Sequence, residues 1–273
     1  MNNMKKFASI LLLIPVCVCS AQTAVRVLNF SKGDAFEKKT VITSACRLRQ
    51  GTQTLNINSS AAVTKMYTVN DASASNLTFS VATSQITDTI NSMGQQMVYN
   101  SARPADTSSF IHTALNNIVN NPVLVSVNRH GTISSAARVP VQQRSDVVLA
   151  YGGIQQPQYN LGDELDLAAG FVSNAAFTKG FSWTDSLTGK SIKTVITYTI
   201  QQTDDANTSV SFDGSITESY FTTNINGVLM IDNATGVIVQ KMAQTASSGY
   251  NILNGVAYTE ERSTSLSEYC IKK

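Results

Sequence analysis

The chain has 273 residues, 42% of them hydrophobic, with 20 basic side chains against 18 acidic and only 14% charged overall. This is enough apolar material for a real core, and at this length folding hides roughly 70–75% of the extended-chain surface. Charge this balanced argues against binding a phosphate backbone, which needs a basic stripe.

Lys5 and Lys6 precede an apolar run from Phe7 to Val18, and small residues follow at Ser20 and Ala21. That order is a secretory signal peptide over residues 1–21, cleaved after Ser20 or Ala21. The run is shorter than the roughly 20 apolar residues that span a bilayer, and no later stretch is long enough. Val16 before Cys17 and Val18 before Cys19 fit poorly with a lipoprotein signal, which places a small residue before the modified cysteine. Losing Lys5 and Lys6 takes the basic count from 20 to 18, equal to the 18 acids, so the mature chain has no net charge. The expected location is the periplasm or the outer cell envelope, with a lipid anchor as the alternative.

Cys46 and Cys270 are the cysteines left after the signal. In an oxidising compartment the pair is expected as a disulfide joining the first long strand to the last. A loop of that length would contribute up to about 5 kcal/mol in the chain-entropy model. Two buried free thiols are the alternative.

The first half, residues 22–137, reads as β-strands. Val25, Val27, Leu28 and Phe30 form a short strand ended by Lys32-Gly33-Asp34. Strands follow at Phe36 to Gln50 and Leu55 to Tyr67. Leu77, Phe79 and Val81 share one face of the next strand. Ile86 and Ile90 keep the even spacing on the opposite parity, so a bulge is expected between Thr83 and Gln85. One main helix is expected at about 105–120. Asp106 or Thr107 would cap it, Phe110, Ile111, Ala114, Leu115 and Ile118 form its apolar stripe, and Asn120-Asn121-Pro122 ends it. Val123 to Val127 begins a strand that turns at Asn128-Arg129-His130-Gly131.

Residues 138–158 read as a connection, and residues 159–273 as a second β-rich half opening on Leu161-Gly162-Asp163. Phe177 to Trp183 is a strand, and Thr194 to Asp213 is a strand–turn–strand unit with one wet face. It echoes Val63 to Thr83: Tyr67 falls on Tyr198 and Asn76 on Asn207, both 131 apart. A meander around Asn254-Gly255 completes the chain, Asn-Gly being a strong hairpin signal. The fold class is therefore mainly β, a β-rich α+β arrangement of curved antiparallel sheets in two related halves with one main helix.

The run Tyr99 to Phe110, YNSARPADTSSF, then a helix, then Asn121 to Ile133, NPVLVSVNRHGTI, resembles a family of exported Bacteroidota proteins known as a domain of unknown function. The Gly162-Asp163 opening resembles it too, although Trp183 stands 20 residues beyond Asp163 where members show Trp directly after the Gly-Asp. The resemblance implies export and a β-rich fold with a helix, and no activity.

The sequence offers little chemistry. His112, His130, Cys46 and Cys270 have no zinc-ligand spacing, and no G-x-S-x-G elbow, P-loop or dinucleotide fingerprint occurs. Asp204-Asp205 and Glu260-Glu261 do not present two carboxylates to one point, as a glycosidase would. Asp163, Glu164 and Asp166 are too few for a calcium loop. Gly33-Asp34 and Gly162-Asp163 read as turns. No catalytic residue, metal ligand or cofactor is assigned. What remains is a surface: Phe110, Ile111, Leu115 and Ile118 would line a greasy cleft between helix and sheet, or simply close the core. The function expected is a non-enzymatic envelope protein binding a hydrophobic ligand or a partner protein, with no nucleic acid and no transmembrane span. A hydrolase whose triad is invisible in sequence and a structural or adhesive surface component are the alternatives.

Overall fold

Apolar–polar alternation is carried through strands of up to 20 residues, several times the usual five or six. A computed structural model describes residues 28–104, 110–115, 118–137, 154, 158–169, 178–189, 192–253 and 255–273. In chain order the elements are β1 (Ala35–Gln50), β2 (Gln53–Ala72), β3 (Asn76–Ser92), β4 (Gln95–Asn100), α1 (Phe110–Leu115), β5 (Val123–Asn128), β6 (Ile133–Ala136), β7 (Ser182–Thr188), β8 (Ile192–Thr203), β9 (Asn207–Glu218), β10 (Phe221–Asp232), β11 (Ile238–Leu253) and β12 (Val256–Lys272). Among the described residues the strands form one antiparallel sheet, ordered β6-β5-β3-β2-β1-β12-β11-β10-β9-β8-β7, with β4 also paired to β3.

Side-chain alternation gives this sheet a dry face and a wet one. Phe36, Cys46 and Leu48 of β1 and Ile57, Val63, Tyr67 and Val69 of β2 are buried on the inner face. Asn56, Asn58, Ser60, Glu261, Ser263 and Ser265 point the other way and are exposed. The expected bulge is present in β3. Thr64 pairs with Gln85 and Lys65 with Thr83, which leaves Ser84 without an opposite residue. The extra residue switches parity, so Leu77, Phe79 and Val81 before it and Ile86 and Ile90 after it all reach the core.

The two ends of the sheet differ. At one end the turns are fastened by side chains: Asn128 Oδ1 accepts from His130 and Thr132, Asp204 Oδ1 from Ala206 and Asn207, and Asp232 Oδ1 from Ala234 and Thr235. These are Asx-type turns, in which the side chain stands in for a backbone partner. A strap, residues 160–169, crosses this end. The Ile133 amide donates to the Asp163 carbonyl (2.8 Å) and the Ile238 amide to the Leu167 carbonyl (3.0 Å). The strap therefore ties the β6 edge to the start of β11. Leu28, Phe30, Leu165 and Leu167 pack beneath it with Phe36, Tyr67, Phe79 and Cys270. At the other end the β1–β2, β3–β4, β7–β8, β9–β10 and β11–β12 turns stand side by side with no strap among the described residues.

Three expectations are corrected. The strands do not divide into two related halves, because β12 pairs along its length with β1 and makes one sheet of both. The main helix expected at 105–120 is described as helix only over Phe110–Leu115; residues 105–109 and 116–117 lie outside the described residues. Cys46 and Cys270 are free and buried. Cys46 stands opposite Arg262, eight residues before Cys270 on β12, which is about 27 Å at strand rise. A disulfide needs Cα atoms within about 7 Å. The signal peptide expected at 1–21 lies outside the described residues, as does the connection expected at 138–158 apart from Ile154 and Gln158. Leu28 to Ser31 is not strand, and of the strand expected at Phe177 to Trp183 the described residues 178–181 are not strand while Ser182 and Trp183 are.

Candidate functional site: a cavity on the inner face

The inner face of β1, β2, β3 and β12 carries small residues where larger ones would fill the core, and a cavity of about 390 Å³ results. Strand register arranges its floor in cross-strand rows. Glu268, Thr40, Val63 and Ile86 form one; Leu266, Ile42 and Ala61 the next; Thr264, Ser44 and Ser59 a third. The rows run from charged through apolar to hydroxyl-bearing, and Arg262 lies beyond them. Ile118, Ile154 and Asp166 line it as well. Ile154 is held by its amide, which donates to Asp88 Oδ2 (3.3 Å).

The charged end is built from the strap. Lys38, 1% exposed, donates to the Asp166 carbonyl (2.6 Å) and lies 3.1 Å from Glu268 Oε1. Lys65 donates to Asp166 Oδ2 (3.0 Å), Tyr67 to Asp166 Oδ1 (2.7 Å), and Thr40 to Glu268 Oε1 (3.1 Å). Loss of solvation alone would raise the Asp166 carboxyl. The Lys38 and Lys65 ammoniums, with the Tyr67 and Lys65 hydrogen bonds, outweigh that and hold it far below the usual carboxylate range. Burial pushes the Tyr67 and Tyr159 hydroxyls up, with the Asp166 charge adding to it. Burial pushes the Cys270 thiol up to about 11. The cluster is ionic, neutral in sum and largely satisfied by its own members. It fixes one wall of the cavity and offers polar atoms of Lys65 and Glu268 to it.

Of the four cleft residues expected from sequence, Ile118 lines the cavity. Ile111 and Leu115 are buried beside it, packed with Ile86, Ile90 and Tyr99. Phe110 begins α1, and its side chain lies outside the described residues. His112 sits edge-on to Tyr99, with centroids 4.9 Å apart, while His130 belongs to a turn beneath the strap. The recurring glycines are turn residues with φ of +91° at Gly33 and +87° at Gly162. Sequence reasoning missed Lys38 and Glu268, and weighed Asp166 only as a calcium ligand before setting it aside. A signal existed for the first two: Lys38 shares the parity of Phe36, and Glu268 that of Cys270, so each was marked for the dry side.

A second feature of the inner face is a row of rings on β7–β9. Phe181, Trp183, Tyr198 and Phe212 follow one another at centroid separations of 5.9, 5.2 and 6.2 Å. The Tyr198 hydroxyl is pushed up to about 12, first by burial and then by the charges of Asp185 and Glu164.

No protein-family model and no curated protein matches the chain. Among solved structures, one described as lipid-protein interactions in lipovitellin is similar at TM-score 0.47 and 11% identity, over 89% of this chain. The chain spans 26% of that lipovitellin chain. An outer membrane channel from Pseudomonas putida F1 is similar at TM-score 0.28 and 7% identity, over 90% of this chain and 98% of that one. Salmonella typhi OmpF in complex with daunomycin is similar at TM-score 0.25 and 8% identity, over 89% and 100%. Similarity this low carries no argument about what the chain does.

Proposed function

We propose that the chain is a non-enzymatic exported protein of the cell envelope that holds a hydrophobic ligand in the inner-face cavity. One observation carries this reading: the middle of the cavity is lined by Ile42, Ala61, Val63, Ile86, Ile118, Ile154 and Leu266, while its ends are polar. Its size falls within the roughly 300–1,000 Å³ of ligand sites, which are mostly apolar with a few placed polar groups. The ligand this suits has an apolar body against the isoleucines and a small polar end that reaches Lys65 and Glu268. The wet outer face supports a body surrounded by water, because a membrane barrel presents apolar residues outward. The resemblance at Tyr99 to Phe110 and Asn121 to Ile133 supports export, in line with Lys5, Lys6 and the run that follows.

Native mass spectrometry of the protein purified from its own host tests the proposal. A bound mass that leaves on organic extraction is expected, and Ala61→Trp, which fills the floor, should abolish it with the fold retained. Repeated purification without bound mass, or equal loading of Ala61→Trp, overturns the ligand reading. The same sample tests export, since its first residue should be Ala21 or Gln22.

A further inference from the structure

The end of the sheet that no strap crosses among the described residues carries apolar side chains near its turns. Met93 is 77% exposed in the β3–β4 turn, Tyr220 79% in the β9–β10 turn, and Tyr250 and Ile252 are 68% and 71% exposed near the end of β11. Leu187 and Ile192 flank the β7–β8 turn and are exposed too. The turn register places all of these at one end. Met93 stands out twice. Its φ is +51°, a left-handed conformation that hairpin turns ordinarily give to Asn, Asp or Gly, and one that disfavours a bulky side chain. The side chain, at this exposure, contributes little to packing.

We propose that this end is a membrane-contacting rim, where Met93, Tyr220, Tyr250 and Ile252 enter the interfacial layer of a lipid surface while the wet outer face stays in water. The apolar residues fall in separate groups, Met93 on the β3–β4 turn, Tyr220 beside Tyr250 and Ile252 of β11, and Leu187 with Ile192 on either side of the β7–β8 turn, with the polar Gly51-Thr52 turn among them. A protein partner fits a continuous, shape-matched patch, whereas fluid lipid accepts several isolated insertions. Tyr suits the layer where one end of the ring is apolar and the other wet. Arg47, Arg49 and Lys193 stand against Glu218 and Glu261 at the same end, an excess of one positive charge among these exposed residues, too small for attraction to anionic headgroups to be the main driving force.

Flotation of the mature protein with phosphatidylcholine vesicles, at low and high salt, tests this. Co-flotation that persists at high salt is expected. The triple variant Met93→Asn, Tyr220→Asn, Ile252→Thr should weaken binding about tenfold, and the turn should accept Asn readily. A control, Leu124→Thr with Tyr269→Thr, alters exposed positions away from the rim and should bind as the parent does. Circular dichroism confirms that both variants fold. Failure of the parent to float, full loss at high salt, or equal weakening in the control each overturns the proposal. So does concentration-dependent self-association that the triple variant abolishes without vesicles, which would make the rim an interface between copies. The cavity plays no part, so an empty cavity leaves this proposal standing, and rim failure leaves the ligand reading standing.

Discussion

Lys38 shows what one inward-facing position can demand. Strand parity commits its ammonium to the dry side, and the chain answers with Glu268 from the neighbouring strand and Asp166 from the strap. Removing one partner of a buried pair leaves a charge without compensation, at about 3–5 kcal/mol. Asp166 remains beside Lys38, so Glu268→Ala should cost near the lower figure, about 3 kcal/mol, read as a fall in urea midpoint at constant slope. The buried Cys270 thiol and the half-buried Tyr198 phenol give a pH dependence. Both folded values are raised, Cys270 from 9.0 to about 11 and Tyr198 from 10.0 to about 12. Folding therefore favours their neutral forms. That contribution is whole below pH 9 for the thiol and below pH 10 for the phenol, and disappears as pH climbs through 11 and 12. Melting temperature should fall steadily above pH 9, and Cys270→Ala should flatten the first part of that fall. The failed disulfide belongs at this scale too. Alternation tells that Cys46 and Cys270 both face inward, but not which residue each meets across the strands, and register sets them eight positions apart.

At the scale of elements, strands were legible because alternation is a local signal. The parity change between Val81 and Ile86 announced a bulge, and Ser84 supplies it. Deleting Ser84 should turn either Leu77, Phe79 and Val81 or Ile86 and Ile90 onto the wet face. We expect no folded protein from that deletion, judged by loss of cooperative unfolding, while Ser84→Ala should stay within about 0.5 kcal/mol of the parent. The helix was expected at 105–120 and is described over Phe110–Leu115, with 118–120 no longer helical; an apolar stripe at helical spacing does not mark where a helix stops. Ile111 and Leu115 of that stripe are core, and among its described side chains Ile118 reaches the cavity. The strap was not legible as one. Leu165 and Leu167 alternate with Glu164 and Asp166, but the run is too short to mark an element, and its role comes from hydrogen bonds to Ile133 and Ile238, residues far away in the chain.

At the scale of the molecule, mainly antiparallel β was legible and the arrangement of the strands was not. The likeness of Val63 to Thr83 and Thr194 to Asp213 is real as a pattern, and both stretches form hairpins whose second strand starts at the matched Asn76 and Asn207. A pattern shared by two hairpins says nothing about where they sit, and here they share one sheet. The cavity was hidden for the same reason. It exists where Ala61, Ser59, Ser44 and Thr40 fall side by side, a coincidence of register across neighbouring strands.

The pairing of β1 with β12 has a consequence for how the protein is made. Phe36 meets Lys272 and Arg49 meets Thr259, so the seam at the middle of the sheet joins the beginning of the body to its final residues. Contacts that distant in sequence form slowly, because the intervening loop must be closed first. Until β12 is in place, β1 and β11 stand as bare edges of two unjoined ribbons. Refolding should therefore close on a slow final step, and a substitution that weakens only the β1–β12 register should lengthen that step more than the earlier ones.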